Sequence, residues 1–331
     1  MPTTLVTGAA GFIGSHVVDA LLERGHTVVA LDDLSGGFAD NVNTQATFIE
    51  ANCVDHVRLS QLFDQHAFDY VFHLAAYAAE GLSHFIKRFN YTNNVIGSVN
   101  LINEAVKHDV KRFIFTSSIA VYGKNQLPMR EELVPAPEDS YGVAKYAVEL
   151  DLKASHEMFG LDYVIFRPHN VYGERQNTGD KYRNVIGIFM NQTLRGEPFT
   201  IFGDGKQSRA FSYVGDIAPI LAESATLPAA RNEIFNVGAD SVYTVNQLAN
   251  EVMNAMGSTT EVRHLPARNE VVDAYSDHSK VQRIFGKQKE TSLSEGLHRM
   301  AEWVRKTGPR KSKPFEGIEI EKNLPPSWRN G

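Results

Sequence analysis

The chain has 331 residues, 43% hydrophobic and 22% charged, enough to bury a sizeable core as one large or two intimately joined domains. Its net charge of -6 is carried with dispersed basic residues, which excludes the electrostatic footprint of a nucleic-acid binder. Cys53 is the only cysteine, which excludes an intramolecular disulfide and argues against a thiolate metal site; no metal is expected. No export signal is evident and no apolar run approaches about 18 residues, so a reducing, cytoplasmic setting is expected and a membrane span is not.

Short apolar runs alternate with amphipathic stretches through the first half, the pattern of strand-helix-strand units around a parallel sheet. Strands are predicted at 4–7, 27–31, 47–49, 70–74, 112–116 and 162–167. A helix predicted over 15–23 places Val17, Val18, Leu21 and Leu22 on one face and stops at Gly25, and 93–108 repeats that logic. The second half is less regular, with loops at 173–183 and 203–209 and a helix over 245–256. Residues 311–331 carry Pro325, Pro326 and Trp328 without periodicity and read as a tail, an arm packed on the body.

Gly8, Gly11 and Gly14 lie between the first predicted strand and the first helix. Glycines at this spacing let the backbone turn tightly and approach a pyrophosphate, which the helix N-terminus then stabilises. The second strand ends in Asp32-Asp33, about the distance at which a carboxylate accepts hydrogen bonds from a ribose diol and repels a 2'-phosphate. NAD is therefore expected over NADP. Further on, Tyr141 and Lys145 are four residues apart, so in a helix they project from one face. A phenol, with a pKa of about 10, becomes a useful base only where a nearby positive charge favours its anion.

These features occur in one order with His73-Leu74-Ala75-Ala76, Thr116-Ser117-Ser118, Val121-Tyr122-Gly123 and Arg167-Pro168-His169-Asn170-Val171-Tyr172-Gly173. Over about residues 1–305 the set resembles the extended short-chain dehydrogenases/reductases of the nucleotide-sugar epimerase and dehydratase group, most of all the UDP-hexose 4-epimerases. The resemblance implies an α/β fold: a Rossmann doubly wound parallel sheet formed by 1–167 with a returning segment near 210–240. A smaller α/β C-terminal substrate domain would be formed by 168–209 and 241–310. It also implies a homodimer that pairs helices 93–108 and 141–159 of each subunit.

Carried over position by position, the resemblance puts Phe12 and Ile13 under the pyrophosphate, with Asp32, Asp33, Leu34, Ser35, Gly36 and Gly37 around the adenosine ribose. Asn52, where relatives carry aspartate, and Cys53 would lie on the adenine side; Leu74, Ala75, Ala76, Asn94, Thr116, Ser117 and His169 would complete the NAD site. Ser118 would reach the sugar hydroxyl, Tyr141 would be the base, and Lys145 would bind the nicotinamide ribose and lower the tyrosine pKa. Asn170, Asn184, Val185 and Phe202 would meet the UDP moiety, clamped by Arg209 and Arg268; the usual Asp after the first arginine is here Ala210.

Dehydratases of the group resemble one another in an Asp-Glu pair after the catalytic Ser or Thr, and the decarboxylases carry Glu there. This chain has Ile119-Ala120 after Ser118, which leaves redox epimerisation through a 4-keto sugar. For the sugar, counting back from Asp277 places Ala274 at its border and counting forward from Arg268 places Tyr275; Ala274 is preferred, leaving room for an N-acetyl or carboxylate-bearing sugar. Glu80 reads a sugar hydroxyl or faces solvent. UDP-N-acetylglucosamine and UDP-glucuronate 4-epimerases, or another nucleotide-sugar dehydratase, are the alternatives, with Arg88, Arg175 or Arg183 receiving a hexuronate carboxylate. A silent NAD-binding regulator is the least favoured reading, because the serine, tyrosine and lysine all stand.

Overall fold

The computed structural model describes residues 1–124, 126–180, 182–267, 271–287, 290–310, 315 and 317–329. Its centre is a seven-stranded, all-parallel sheet. In chain order the strands are β1 (Thr3–Thr7), β2 (Thr27–Asp32), β3 (Thr47–Glu50), β4 (Tyr70–His73), β5 (Arg112–Thr116), β6 (Tyr163–Pro168) and a late strand, Glu233–Val237. In space the late strand lies outside β6, followed by β5, β4, β1, β2 and β3. The order reverses between β1 and β4, and doubly wound sheets bind ligands in the crevice at that switch point.

Both faces of the sheet are covered, so successive residues go alternately into two cores. Leu5, Val71, Phe113, Phe115 and Ile165 pack beneath α2 (His56–Gln65), α5 (Gly97–Lys107) and α6 (Ser140–Phe159). Val6, Phe72, Ile114, Val164 and Phe166 turn the other way, towards α1 (Phe12–Glu23) and the helix Val214–Glu223. The doubly wound α/β architecture expected from the sequence is the one the chain adopts.

Two segments depart from the sequence reading. The helix predicted over 93–108 is a π-helical turn, Thr92–Ile96, followed by α5. Preceding it are two short helices, α3 (Glu80–Ser83) and α4 (Lys87–Tyr91), that periodicity does not resolve. The predicted loop 203–209 ends in a strand, Ser208–Ala210, paired with Val242–Thr244 and Asp273–Ala274. Its partners lie far away in sequence, so no local signal marks it. Phe199–Phe202 pairs in the same long-range way with Val262–Leu265.

The arm 311–331 is packed where it is described. Leu324 and Trp328 are buried with Ala79, Leu82 and Ile86, and Phe315 and Ile318 flank them.

Candidate functional site

A cavity of about 380 Å³ opens at the C-terminal edge of the sheet, over the β1/β4 switch point. Gly8, Gly11, Phe12, Ile13 and Gly14 form its floor; Asp32, Asp33, Ser35, Gly36, Gly37, Asn52 and Cys53 close one end. Leu74, Ala75, Ala76, Thr116, Ser117, Ser118, Tyr141 and Lys145 follow, and Glu80, Asn170 and Asn184 lie at the far end.

The floor requires glycine. Gly8 has φ +71° and a Cβ there would sit 2.7 Å from the Ala75 nitrogen; a Cβ on Gly14 would sit 2.0 Å from the Gly8 oxygen. The turn is held by Asp32, whose carboxylate accepts the Ala10 N–H at 3.0 Å and the Leu34 N–H at 2.8 Å. Burial raises the Asp32 pKa, and those backbone donors oppose the rise. Asp33 accepts from Ser35 N and from Asn52 Nδ2, so the departure at position 52 is absorbed by a side-chain amide bonded to the neighbouring acid. Cys53 is buried and its thiol is pushed up to about 12 by desolvation, then by the Asp33 charge, so it stays protonated.

The reactive end is built on α6. Asp139 caps its first turn, accepting the Gly142 N–H at 2.8 Å, and one turn of helix brings Tyr141 and Lys145 into the same space. Ser118, at the end of β5, hydrogen-bonds the Tyr141 phenol with its side chain. Lys145 Nζ donates to the Thr116 carbonyl at 2.8 Å and lies 5.8 Å from the Tyr141 ring centroid. Burial lowers the Lys145 pKa to about 7, opposed by Glu149. The expectation that this lysine lowers the tyrosine pKa is not what the chain alone displays: burial raises it, the Glu80 carboxylate raises it further, and the Ser118 hydrogen bond opposes both.

Beneath these groups lies a buried network. Arg167 donates Nε and Nη2 to the two oxygens of Glu149, at 2.9 and 2.5 Å, and Nη1 to the Tyr122 hydroxyl at 2.7 Å. Ser117 donates to the same carboxylate at 2.5 Å. Each charge is neutralised and bonded, the condition under which a buried pair is tolerated.

Several expected contacts lie elsewhere. The His169 imidazole does not line the cavity: it is 2% exposed, with Nε2 3.0 Å from His278 Nε2 and Nδ1 3.1 Å from the Ala210 carbonyl. Desolvation, then the neighbouring His278, lowers its pKa to about 3. Asn94 sits behind the wall, bonding the Tyr77 N–H and carbonyl and the Asn90 side chain. Leu34 lines no part of the cavity, and neither do Val185 or Phe202. Arg209 donates to the carbonyls of Ser208, Val271 and Val272, lacing neighbouring strands together. Ala274 is packed with Ile119, Val121, Tyr122 and Met129, so its small side chain serves a core; Arg268 lies outside the described residues.

The cavity also has walls that motif reading did not single out: Tyr77, Ala78, Phe89 and Asn93 on one side, Gln176 and Asn177 on the other, beside the sequence candidate Arg183. Arg183 donates to Asp180 and stacks over the Tyr77 ring at 5.1 Å. Thr116 Oγ1 and Gln176 Oε1 are buried without a hydrogen-bond partner in the chain, polar groups suited to a bound ligand. With the glycine floor, they make the cleft fit a dinucleotide. Among the described residues no group of three or more His, Cys, Asp or Glu is placed to hold a metal, and no helix is long and apolar enough to cross a membrane.

Comparison with known proteins agrees with this geometry. The profile of the NAD dependent epimerase/dehydratase family matches residues 4–238. The chain is 34% identical over 310 residues to the UDP-glucose 4-epimerase of Mycolicibacterium smegmatis, covering 91% of this chain and 98% of that one. It superimposes with a TM-score of 0.88 on the UDP-glucose 4-epimerase of Thermotoga maritima, solved with UDP-glucose, at 38% identity over 92% of this chain and 99% of that chain. A UDP-N-acetylglucosamine 4-epimerase from Methanobrevibacter ruminantium, solved with UDP-N-acetylmuramic acid, gives 0.86 at 35% identity with the same coverage.

Proposed function

Because the chain belongs to the NAD dependent epimerase/dehydratase family, we propose that it is a UDP-hexose 4-epimerase, inverting C4 through transient oxidation and return of hydride. The observation that carries this reading is the grouping of Ser118, Tyr141 and Lys145 at one end of a dinucleotide cleft, with Ile119 and Ala120 where an eliminating enzyme carries acids.

NAD supplies a hydride acceptor and, when oxidised, a positive charge that favours the phenolate. Tyr141 takes the proton of the sugar C4 hydroxyl and gives it back, and Ser118, bonded to the phenol, holds the hydroxyl in line. Lys145 is anchored to the Thr116 carbonyl with two N–H groups left for the ribose. Gln176 and Thr116 offer their unpaired oxygens to the bound molecules.

A neutral sugar suits the far wall better than a hexuronate. Glu80 lines the cavity; Arg175 is committed to Asp19 and the Ser15 carbonyl, and Arg183 is paired with Asp180, so neither guanidinium is left for a hexuronate carboxylate. Tyr91, Ile96, Val143 and Leu150 are exposed apolar residues around α5 and α6, supporting a homodimer that buries them, and the single buried cysteine suits the cytoplasm. Incubation with a panel of UDP-sugars, following C4 inversion by NMR on a sample whose mass is read by sedimentation, tests the reading. Inversion of UDP-glucose by a dimer is expected. Elimination products, or no turnover of any UDP-sugar, sink it.

A further inference from the structure

The sugar-side wall, 77–89, is not held by the sheet. One side is bonded to the catalytic helix. The Ser83 hydroxyl donates to the Glu80 carbonyl at 2.6 Å and accepts the Tyr141 N–H at 3.1 Å, and Asn90 Nδ2 donates to the Ser140 carbonyl at 2.7 Å. The other side is covered by the C-terminal arm. The Glu319 carboxylate accepts the N–H groups of Arg88 and Phe89, both at 2.9 Å, satisfying donors of the first turn of α4 that have no partner within the helix. In return, the Glu319 and Ile320 N–H groups donate to the Phe85 carbonyl at 2.8 and 3.2 Å.

Aromatic packing continues the clasp. Phe315 meets the rings of Tyr77 and Phe89 at 5.3 and 4.8 Å, and both of these line the cavity. Trp328 meets Phe85 at 6.2 Å and Tyr182 at 5.4 Å, and lies so close to Gly81 that a Cβ there would be 3.2 Å from the indole. Gly81 follows Glu80 directly, so the indole lies over the backbone beside the Glu80 side chain that lines the site. Tyr182 precedes Arg183 on the opposite wall by one residue, and Trp328 therefore ties the two walls together.

We propose that the described part of the C-terminal arm, residues 315 and 317–329, is a brace that fixes the sugar-side wall against the catalytic helix and thereby sets which sugar the cleft accepts. The arm touches no reacting group, and its residues are positioning residues. The brace rests on the UDP-sugar reading for its consequence, though not for its mechanics.

The test compares the full chain with a truncation after Arg310 and with Trp328→Ala and Glu319→Ala, which keep the arm attached. Hydrogen exchange of the amides in 81–90 should quicken about tenfold or more in each variant, because their opening no longer breaks the clasp. Bound NAD per chain should not change, since no arm contact reaches the glycine floor. KM for the preferred UDP-sugar should rise about tenfold with a smaller change in kcat, and the kcat/KM ratio of UDP-glucose to UDP-N-acetylglucosamine should shift by about threefold or more. Unchanged exchange overturns the brace. Faster exchange with unchanged KM and sugar ratio also overturns it, leaving the arm as a staple on the surface. A full-length protein that inverts no UDP-sugar sinks the epimerase reading instead; exchange, with calorimetric binding of UDP-glucose to each variant, then still decides the brace.

Discussion

The two ends of the cleft are made in different ways. The cofactor end is written in consecutive residues: a strand, three glycines and a helix, with Asp32 returning to bond the turn it faces. The sugar end is gathered from 77–93, 170–184 and the arm, segments separated by more than two thirds of the chain. A backbone-built site tolerates almost no change in its floor but hardly depends on distant parts. A site assembled from side chains tolerates substitution and can be retuned from far away.

Tyr141 sits where the ends meet, and its replacement is the largest expected effect. Tyr141→Phe should lower kcat about a thousandfold, in the range of a lost general acid-base, while NAD content and melting temperature stay near those of the parent. Retained activity would move the proton transfer to another group and dissolve the distinction between the ends. Gly14→Ala comes next. Its Cβ would lie 2.0 Å from the Gly8 oxygen, so the turn must open at a cost of about 3 kcal/mol, and bound NAD should be lost with the melting temperature lowered. Full NAD content in this variant would show that the floor is less rigid than its contacts imply.

Glu80→Gln should have the smallest effect and the most specific one. The Glu80 charge raises the Tyr141 pKa, after burial, so its removal lowers that pKa. The rising acid limb of kcat/KM against pH should then move to lower pH, by less than about one unit, with NAD content unchanged. A limb that stays in place or moves upward would remove Glu80 from the electrostatics of the phenol.

The same contrast explains what the sequence reveals. β1, α1, β2 and the Asp32-Asp33 pair are legible because local periodicity and glycine spacing dictate them. Tyr141 and Lys145 are legible because one helical turn must bring them together. Ala274 misleads, since a count along the chain cannot tell a small residue beside a ligand from one packed on Val121 and Tyr122. His169 misleads likewise: its motif neighbours reach the cleft, but Gly238 leaves room for its ring to turn towards His278. The arm has no periodicity because it makes no regular element of length; its apolar residues are spaced to match aromatic rings of another segment.

The late strand, Glu233–Val237, has a consequence for the birth of the protein. β6 is complete at Pro168, yet the strand that covers its outer edge is made only after residues 169–232. At about 5–20 residues per second, a ribosome leaves that edge bare for several seconds. Val164, Ile165 and Phe166 are there, apolar on both faces of the sheet and with unpaired backbone groups beside them. Lengthening or shortening the intervening segment would prolong or shorten this wait. A nascent chain stalled before Val237 should be an avid client for chaperones that hold extended apolar strands.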